Sequence, residues 1–368
     1  MHVLFSQRRS GLRAVAWCFL LLAISATACL AGNTDDLLVI VQNGKYGYID
    51  HQGKVVIQPQ YMQAYNFSGG LGVVYACGRD VAINASGELS PLKIAEEGEL
   101  AEQKAGDKTG FVDSQGAFKI PPTFEDAMPF SEGLASVRIN DKWGFIDTSG
   151  KLLIQPQFDV GTIFREGVAA VKLNSVHILI NPKGETIASG YEDLDVFAAD
   201  GLIAASLNRK WGYLDLQGGV AIPFVYDGAR TFSGRFATVE KGEKWGYVDQ
   251  KGEVVIPIEF DEAWDFGSGL APAKIGTHSG FIDKTGKFVI DLDYSAADGF
   301  RDGSDVSTFW TEDNEFGYVN KAGKVIWGPT EEQPTHSPIF GWSDDDKARS
   351  CENIPESVKA RILAFPPQ

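Results

Sequence analysis

The chain has 368 residues, 44% of them hydrophobic, which is enough to bury a large core. Acidic residues number 49 against 33 basic ones. That excess excludes sequence-blind binding to nucleic acid, which needs Lys and Arg against phosphate, and charge-driven docking onto anionic lipid.

In chain order, residues 1–31 predict an export signal. Arg8, Arg9 and Arg13 make a positive stretch, Ala14 to Ala28 an uncharged apolar one, and Ala26-Thr27-Ala28 or Cys29-Leu30-Ala31 a small-residue cleavage site. The apolar run is short for a bilayer span of about 20 residues, and no later segment is apolar enough to span. The mature chain, residues 32–368, therefore has no predicted transmembrane segment and is expected in the periplasm, the cell envelope or outside the cell. Arg8-Arg9 invites a twin-arginine reading, against which Gly11 stands where that motif prefers a large apolar residue. Ala26-Thr27-Ala28-Cys29 resembles a lipoprotein box and opens the alternative of a lipid anchor at Cys29, although Ala26 replaces the usual Leu.

Repeats follow. An Asp or Asn precedes a Gly by three residues at Asp50/Gly53, Asn84/Gly87, Asp113/Gly116, Asp147/Gly150, Asn181/Gly184, Asp215/Gly218, Asp249/Gly252, Asp283/Gly286 and Asn320/Gly323. From Asp113 to Asp283 the interval is 34 residues every time. A period held this strictly is the mark of a tandem-repeat fold.

Each unit predicts three short strands. Around Trp143, the run from Leu134 to Ile139 puts Ala135, Val137 and Ile139 on one face and Ser136 and Arg138 on the other. Asn140-Asp141-Lys142 makes a tight turn. A second strand runs from Trp143 to Asp147, and Asp147-Thr148-Ser149-Gly150 closes a hairpin as a type I turn. The third strand begins at Lys151 with Leu152 and Ile154 inward, matched by Val55/Ile57, Phe118/Ile120, Val220/Ile222, Val254/Ile256 and Phe288/Ile290. Pro156 is expected to end it, as are Pro59, Pro122, Pro223 and Pro257 in their units, because Pro donates nothing to a ladder.

Lys142-Trp143-Gly144-Phe145-Ile146-Asp147, Lys210-Trp211-Gly212-Tyr213-Leu214-Asp215 and Lys244-Trp245-Gly246-Tyr247-Val248-Asp249 resemble the core motif of bacterial WG (KWG) repeats. Lys45-Tyr46-Gly47-Tyr48-Ile49-Asp50 matches with Tyr for Trp. The units at Gly110, Gly280 and Gly317 keep the Gly-aromatic core with Thr109, Ser279 and Phe316 before it, and those at Val81 and Ile178 have lost the Gly. The resemblance covers roughly residues 37–328. It implies an all-β repeat array of bacterial origin and no shared catalytic residues.

The fold class expected is all-β: about nine three-stranded meanders of ~34 residues over 32–328, each burying its apolar face on its neighbours. Nine such units fit a propeller of four to eight four-stranded blades poorly, and small residues such as Ala135, Ala169, Ala271 and Ala273 suit close approach of sheets. An open, curved array is therefore expected, with a propeller-like ring as the alternative. Residues 329–368 predict a capping tail with a short helix from Pro355 to Ala364, its apolar stripe being Ile354, Val358, Ile362 and Leu363.

Chemistry-bearing motifs are few. The sequence has no phosphate loop, dinucleotide fingerprint, nucleophile elbow or paired-His zinc motif, so no cofactor is expected. His51, His177, His278 and His336 are scattered and read as structural or solvated. The turn aspartates have a task in their turns. Acids just past the third strand recur at one place in the unit: Glu125, Asp126, Asp159, Glu192, Asp193, Asp227, Asp261 and Glu262. They predict one rim, either a cation- or partner-binding surface or a solvated edge. Trp143, Trp211 and Trp245 could stack on a sugar, but their place beside a mid-strand Gly reads as core packing. After export, Cys77 and Cys351 are left to pair in an oxidising compartment, or to stay free.

Polar residues that stand out do so by repeating, whereas an active site needs a singular cluster. The expectation is a non-enzymatic binding or scaffold module of the envelope, with a protein or envelope component as partner. A carbohydrate-active or hydrolytic protein with its site on inter-repeat loops is the alternative.

Overall fold

The computed structural model describes residues 36–92, 98–233, 235–301, 303–334, 350–351, 354, 356–363 and 365. The predicted export signal, the alternative anchor at Cys29 and His336 lie outside these residues. The described chain forms nine antiparallel sheets. We number them by their second strands: Lys45–Ile49, Arg79–Asn84, Lys108–Val112, Lys142–Asp147, Val176–Ile180, Lys210–Asp215, Lys244–Asp249, His278–Asp283 and Phe316–Asn320. Sheets three and four form one compact unit, and the remaining sheets form a second.

Sheets one, three and five have the three strands expected, and the other six have four. In sheets four and six to nine the extra strand is only two residues long, as in Asp126–Ala127 and Glu262–Ala263. It is the start of the connection from the preceding sheet, laid against the first strand with Asp126 opposite Arg138.

The two hairpins of a unit form as their sequences dictate. Asn140 and Asp141 both have positive φ, 52° and 60°, the two-residue primed turn whose twist suits paired strands. At the second hairpin Gly150 donates to the Asp147 carbonyl at 2.9 Å, and Asp147 donates back to the Lys151 carbonyl at 3.0 Å. Gly150, Gly218 and Gly252 close their turns at φ near +80°.

The third strand departs from expectation. It does not stop at Pro156 but runs on as Leu152–Phe158, and likewise through Pro59 in Val55–Tyr61, Pro122 in Phe118–Phe124, Pro223 in Val220–Tyr226 and Pro257 in Val254–Phe260. The reason is a bulge. Trp143 pairs with Phe158 and Phe145 with Ile154, so Gly144 alone faces three residues that include Pro156. The proline sits where the ladder is already interrupted, so its missing N–H costs no bond. The bulge presses onto Gly144, where a Cβ would lie 2.5 Å from the Ile154 carbonyl oxygen. The motif glycine is there to let the third strand cross.

Within each unit, neighbouring sheets bury one kind of face against another. The first kind carries two aromatics and an Ile, and the second carries small and β-branched residues. Phe111, Ile120 and Phe124 of sheet three meet Ala135, Val137 and Ile146 of sheet four. Tyr247, Ile256 and Phe260 of sheet seven meet Ala271, Ala273 and Ile282 of sheet eight. The aromatic two residues after the motif Trp is fully buried, while Trp143, Trp211 and Trp245 are only half-buried at the margin.

Within the second unit, sheet nine packs on sheet one. Val306, Phe316 and Tyr318 share a core cluster with Ile40 and Ile49, and the Tyr318 hydroxyl donates to the Val39 carbonyl at 2.8 Å. His51, which is buried, pairs through Nδ1 with the Asp305 carboxylate and donates through Nε2 to the Asp36 carbonyl at 2.8 Å. Sheets one and nine, the first and last in chain order, are thus in direct contact.

The last strand runs to Thr330, and the tail helix is Glu356–Leu363. Ile354 and Ile362 are buried with Val74, Val81 and Leu89 of sheet two, and Val358 packs beside them. Leu363, expected in the apolar stripe, is exposed. Cys351 is disulfide-bonded to Cys77, with the Cα atoms 4.5 Å apart.

Candidate functional site

The recurring acids are placed by the end of the third strand, and Glu125, Glu192, Asp227 and Asp261 each turn towards the first hairpin of the next sheet. Glu125 accepts from the Asn140 and Asp141 backbone amides at 2.9 and 3.0 Å. Asp227 accepts from the Gly242 amide at 2.8 Å, Asp261 from Gly276 at 2.6 Å, and Glu192 from Arg209 at 2.7 Å. The other oxygen of Asp227 and of Asp261 takes the motif lysine of its own sheet, Lys210 and Lys244 respectively. Lys142 reaches Asp159 in the same way at 2.6 Å. These lysine bonds, then the turn amides, hold Asp227 and Asp261 below the usual carboxylate range; for Glu125 the Asp141 amide acts first. Asp126 accepts from its own neighbour Ala127 at 3.1 Å, and Glu262 is exposed on the two-residue strand of sheet eight. The acids thus do not converge on one point. Glu125, Glu192, Asp227 and Asp261 each serve their own junction.

The junction from sheet one to sheet two lacks the acid, since Met62 stands in its place and takes Lys45 Nζ at 3.3 Å. The tail supplies the missing acceptor. The Cys77 amide donates to the Ser350 carbonyl at 3.4 Å and the Gly78 amide to Ser350 Oγ at 2.8 Å. Arg79 Nη1 then donates to the carbonyl of Phe365 at 2.9 Å. At the contact of sheet nine with sheet one, Glu332 accepts from the Asn43 and Gly44 amides at 2.9 and 3.1 Å, the same link again.

One polar network does not repeat. Its members come from the three connections that lead out of sheets five, six and seven, and, with Thr238 and Trp245, from strands of sheet seven. Asp195 accepts from the Thr231 hydroxyl. Asp265 accepts from Thr238 Oγ1 at 2.7 Å. The Arg230 guanidinium carbon lies 5.0 Å from the Trp245 ring and 5.8 Å from that of Trp264, within cation–π range. Tyr213 donates to the Arg230 carbonyl and Tyr247 to that of Trp264, both at 2.7 Å, which fixes the backbone under the pair. Burial pushes both Asp195 and Asp265 upward; the Thr231 hydroxyl pulls Asp195 back down, and the Thr238 hydroxyl and then Arg230 do the same for Asp265, against a small further rise from Asp195. Two carboxyls with raised proton affinity and a stacked guanidinium can donate and accept in one place. This group was not legible from the sequence, because Asp195, Arg230 and Trp264 hold one and the same place in successive units and differ there, so nothing marks them as partners. Among the described residues no cluster could hold a metal ion, and no helix is long and apolar enough to cross a membrane.

A model of the WG containing repeat matches residues 46–75, 110–143, 143–176, 179–211, 211–245, 245–276 and 280–304, which is more than half of the chain. The chain belongs to that family. Each of its WG repeats begins in the second strand of one sheet, and four of the seven run on to that of the next. Comparison with curated proteins returned no match. Among solved structures, a eukaryotic initiation factor is similar with a TM-score of 0.52 and 11% identity, covering 79% of this chain and 94% of its own. BamB from Moraxella catarrhalis has a TM-score of 0.37 and 10% identity over 72% of this chain and 86% of its own. PorZ from Porphyromonas gingivalis has a TM-score of 0.29 and 14% identity over 81% of this chain, which spans about half of PorZ's length, 51%. The first is a likeness of fold alone.

Proposed function

We propose that the exported chain is a non-enzymatic binding or scaffold module of the cell envelope, with a protein or an envelope component as its partner. The observation that supports this is a contrast. The carboxylates of Glu125, Glu192, Asp227 and Asp261 are engaged in joining sheets, whereas Arg230 lies over the Trp245 and Trp264 rings with its backbone fixed by Tyr213, an arrangement suited to recognition. The test is capture from envelope extract with the mature chain and with its Arg230→Ala, Trp264→Ala double variant, side by side. A partner held by the first and lost by the second supports the reading, and identical retention by both overturns it. Fractionation of cells making the whole chain checks export: recovery in the cytoplasm alone would remove the envelope from the proposal.

One observation favours a hydrolytic reading. Asp195 and Asp265 both hold their protons above the ordinary carboxyl range, as a general acid must. Asp195→Asn and Asp265→Asn decide it. Cleavage of a glycoside by the native chain, abolished in both variants, would replace binding by catalysis.

A further inference from the structure

Where sheet nine meets sheet one, an open cleft of about 440 Å³ lies between the first hairpin of sheet one and the end of the last strand. Gln42 and Asn43 line one side, and Trp327, Thr330 and Glu332 the other. We infer that this cleft binds a neutral saccharide ring. It lies apart from the network at Arg230 and does not depend on it.

Four features carry the inference. Trp327 is half-buried against the cluster of Val306, Phe316 and Tyr318, so its ring is held in place while part of it lines the cleft. An aromatic face held this way stacks on the C–H face of a pyranose. Gln42 and Asn43 are exposed, and each side-chain amide offers two donors and an acceptor. Thr330 adds a hydroxyl. Glu332 is fixed by the Asn43 and Gly44 amides, which take one bond on each oxygen and leave further lone pairs open. Sugar hydroxyls donate and accept at once, and this set answers both needs.

Other ligands fit less well. Among the described residues no Lys, Arg or His lines the cleft, so they offer an anion no counter-charge. A quaternary amine would suit Trp327 and Glu332, but it would leave the Gln42 and Asn43 donors with nothing to meet. The volume lies in the range of small-ligand sites and holds one or two pyranose rings. The ring could belong to a soluble oligosaccharide or to the end of an envelope polysaccharide, since the chemistry is shared.

The test is calorimetric titration of the mature chain with maltose, cellobiose and N-acetylglucosamine oligomers, with choline beside them, and sedimentation with purified cell-wall glycan. Binding of at least one saccharide is expected, weakened about tenfold or more by Gln42→Ala and by Trp327→Leu. Gln42 is exposed, so its variant remains informative if the Trp327 variant fails to fold. Leu153→Ser, at an exposed position of sheet four outside both sites, should leave the saccharide affinity unchanged. Retention on glycan alone would assign the polymer as the source, and binding of free oligosaccharide the soluble one; either supports the site. Choline binding without any saccharide, no binding at all, or binding indifferent to Gln42→Ala would overturn it.

Discussion

At the scale of single residues, two glycine positions set the fold for different reasons. Gly218 has φ +82°, and a Cβ there would lie 2.8 Å from the Ile187 carbonyl oxygen. Gly218→Val should therefore lower stability by about 1–3 kcal/mol, measured by denaturant melting. Gly212 carries no unusual φ, yet its Cβ would lie 2.6 Å from the Ile222 carbonyl oxygen. Gly212→Ala should cost as much, because the third strand would have to lift away. The first role was legible from a turn signature. The second was not, since contact with a strand ten residues on leaves no local mark. Buried acids add a pH dependence. Burial raises Glu102 to about 7 and Asp80 to about 6. A carboxyl raised on folding binds its proton more tightly in the folded state, so stability is full below the ordinary value and declines as pH rises to the raised one. For Glu102 that window runs from 4.5 to about 7. Glu102→Gln should melt above the native chain at pH 8, by the equivalent of about 1–3 kcal/mol, and alongside it at pH 4. An equal difference at both pH values would show that the carboxyl is not the cause.

At the scale of elements, strand order and pairing were legible because each hairpin is closed by its own residues: Asn140 and Asp141 in one turn, Asp147 and Gly150 in the other. The third strand was cut short because a proline rule that holds for regular ladders fails at a bulge. The acids past that strand were legible as a series but not by task, since their partners are backbone amides of another unit. The tail shows the same limit. Cysteine counting could propose the Cys77–Cys351 pair, but nothing marked Ser350 as an acceptor for the turn at Gly78. Ser350→Ala, which leaves the disulfide in place, should cost about 1 kcal/mol and speed hydrogen exchange at the Gly78 amide. Cys77→Ser should cost more, about 2–5 kcal/mol, and should deprotect Arg79–Asn84 in the same measurement. If Arg79–Asn84 exchanges alike with and without the disulfide, sheet two is held without its tail.

For the molecule as a whole, the 34-residue period announced an all-β repeat protein with most of its core, because Tyr213, Ile222 and their counterparts recur in place. Which sheet lies beside the first one was not legible. The contact rests on Tyr318 and Glu332, which resemble their counterparts elsewhere, and on Asp305, whose pairing with His51 has no mark in the sequence. Tyr318→Phe removes the hydroxyl bond to Val39 and should lower stability by about 1 kcal/mol. Exchange should rise in both Leu38–Gln42 and Phe316–Asn320, although some 280 residues separate them. A rise in sheet nine alone would mean that the two sheets do not support each other.

The lysine–acid–amide relay has an evolutionary consequence. At the junctions after sheets six and seven the acid reads only a lysine 17 residues behind it and an amide 15 ahead. Neither partner says which sheets are being joined. Such a link has no address, so a unit copied in frame brings both of its couplings with it and needs no second mutation to be accepted. Descent by duplication is then open to this chain at every step of 34 residues. Its odd members, such as the unit that lost its acid to Met62 and borrowed Ser350 from the tail, are where that freedom has been used up.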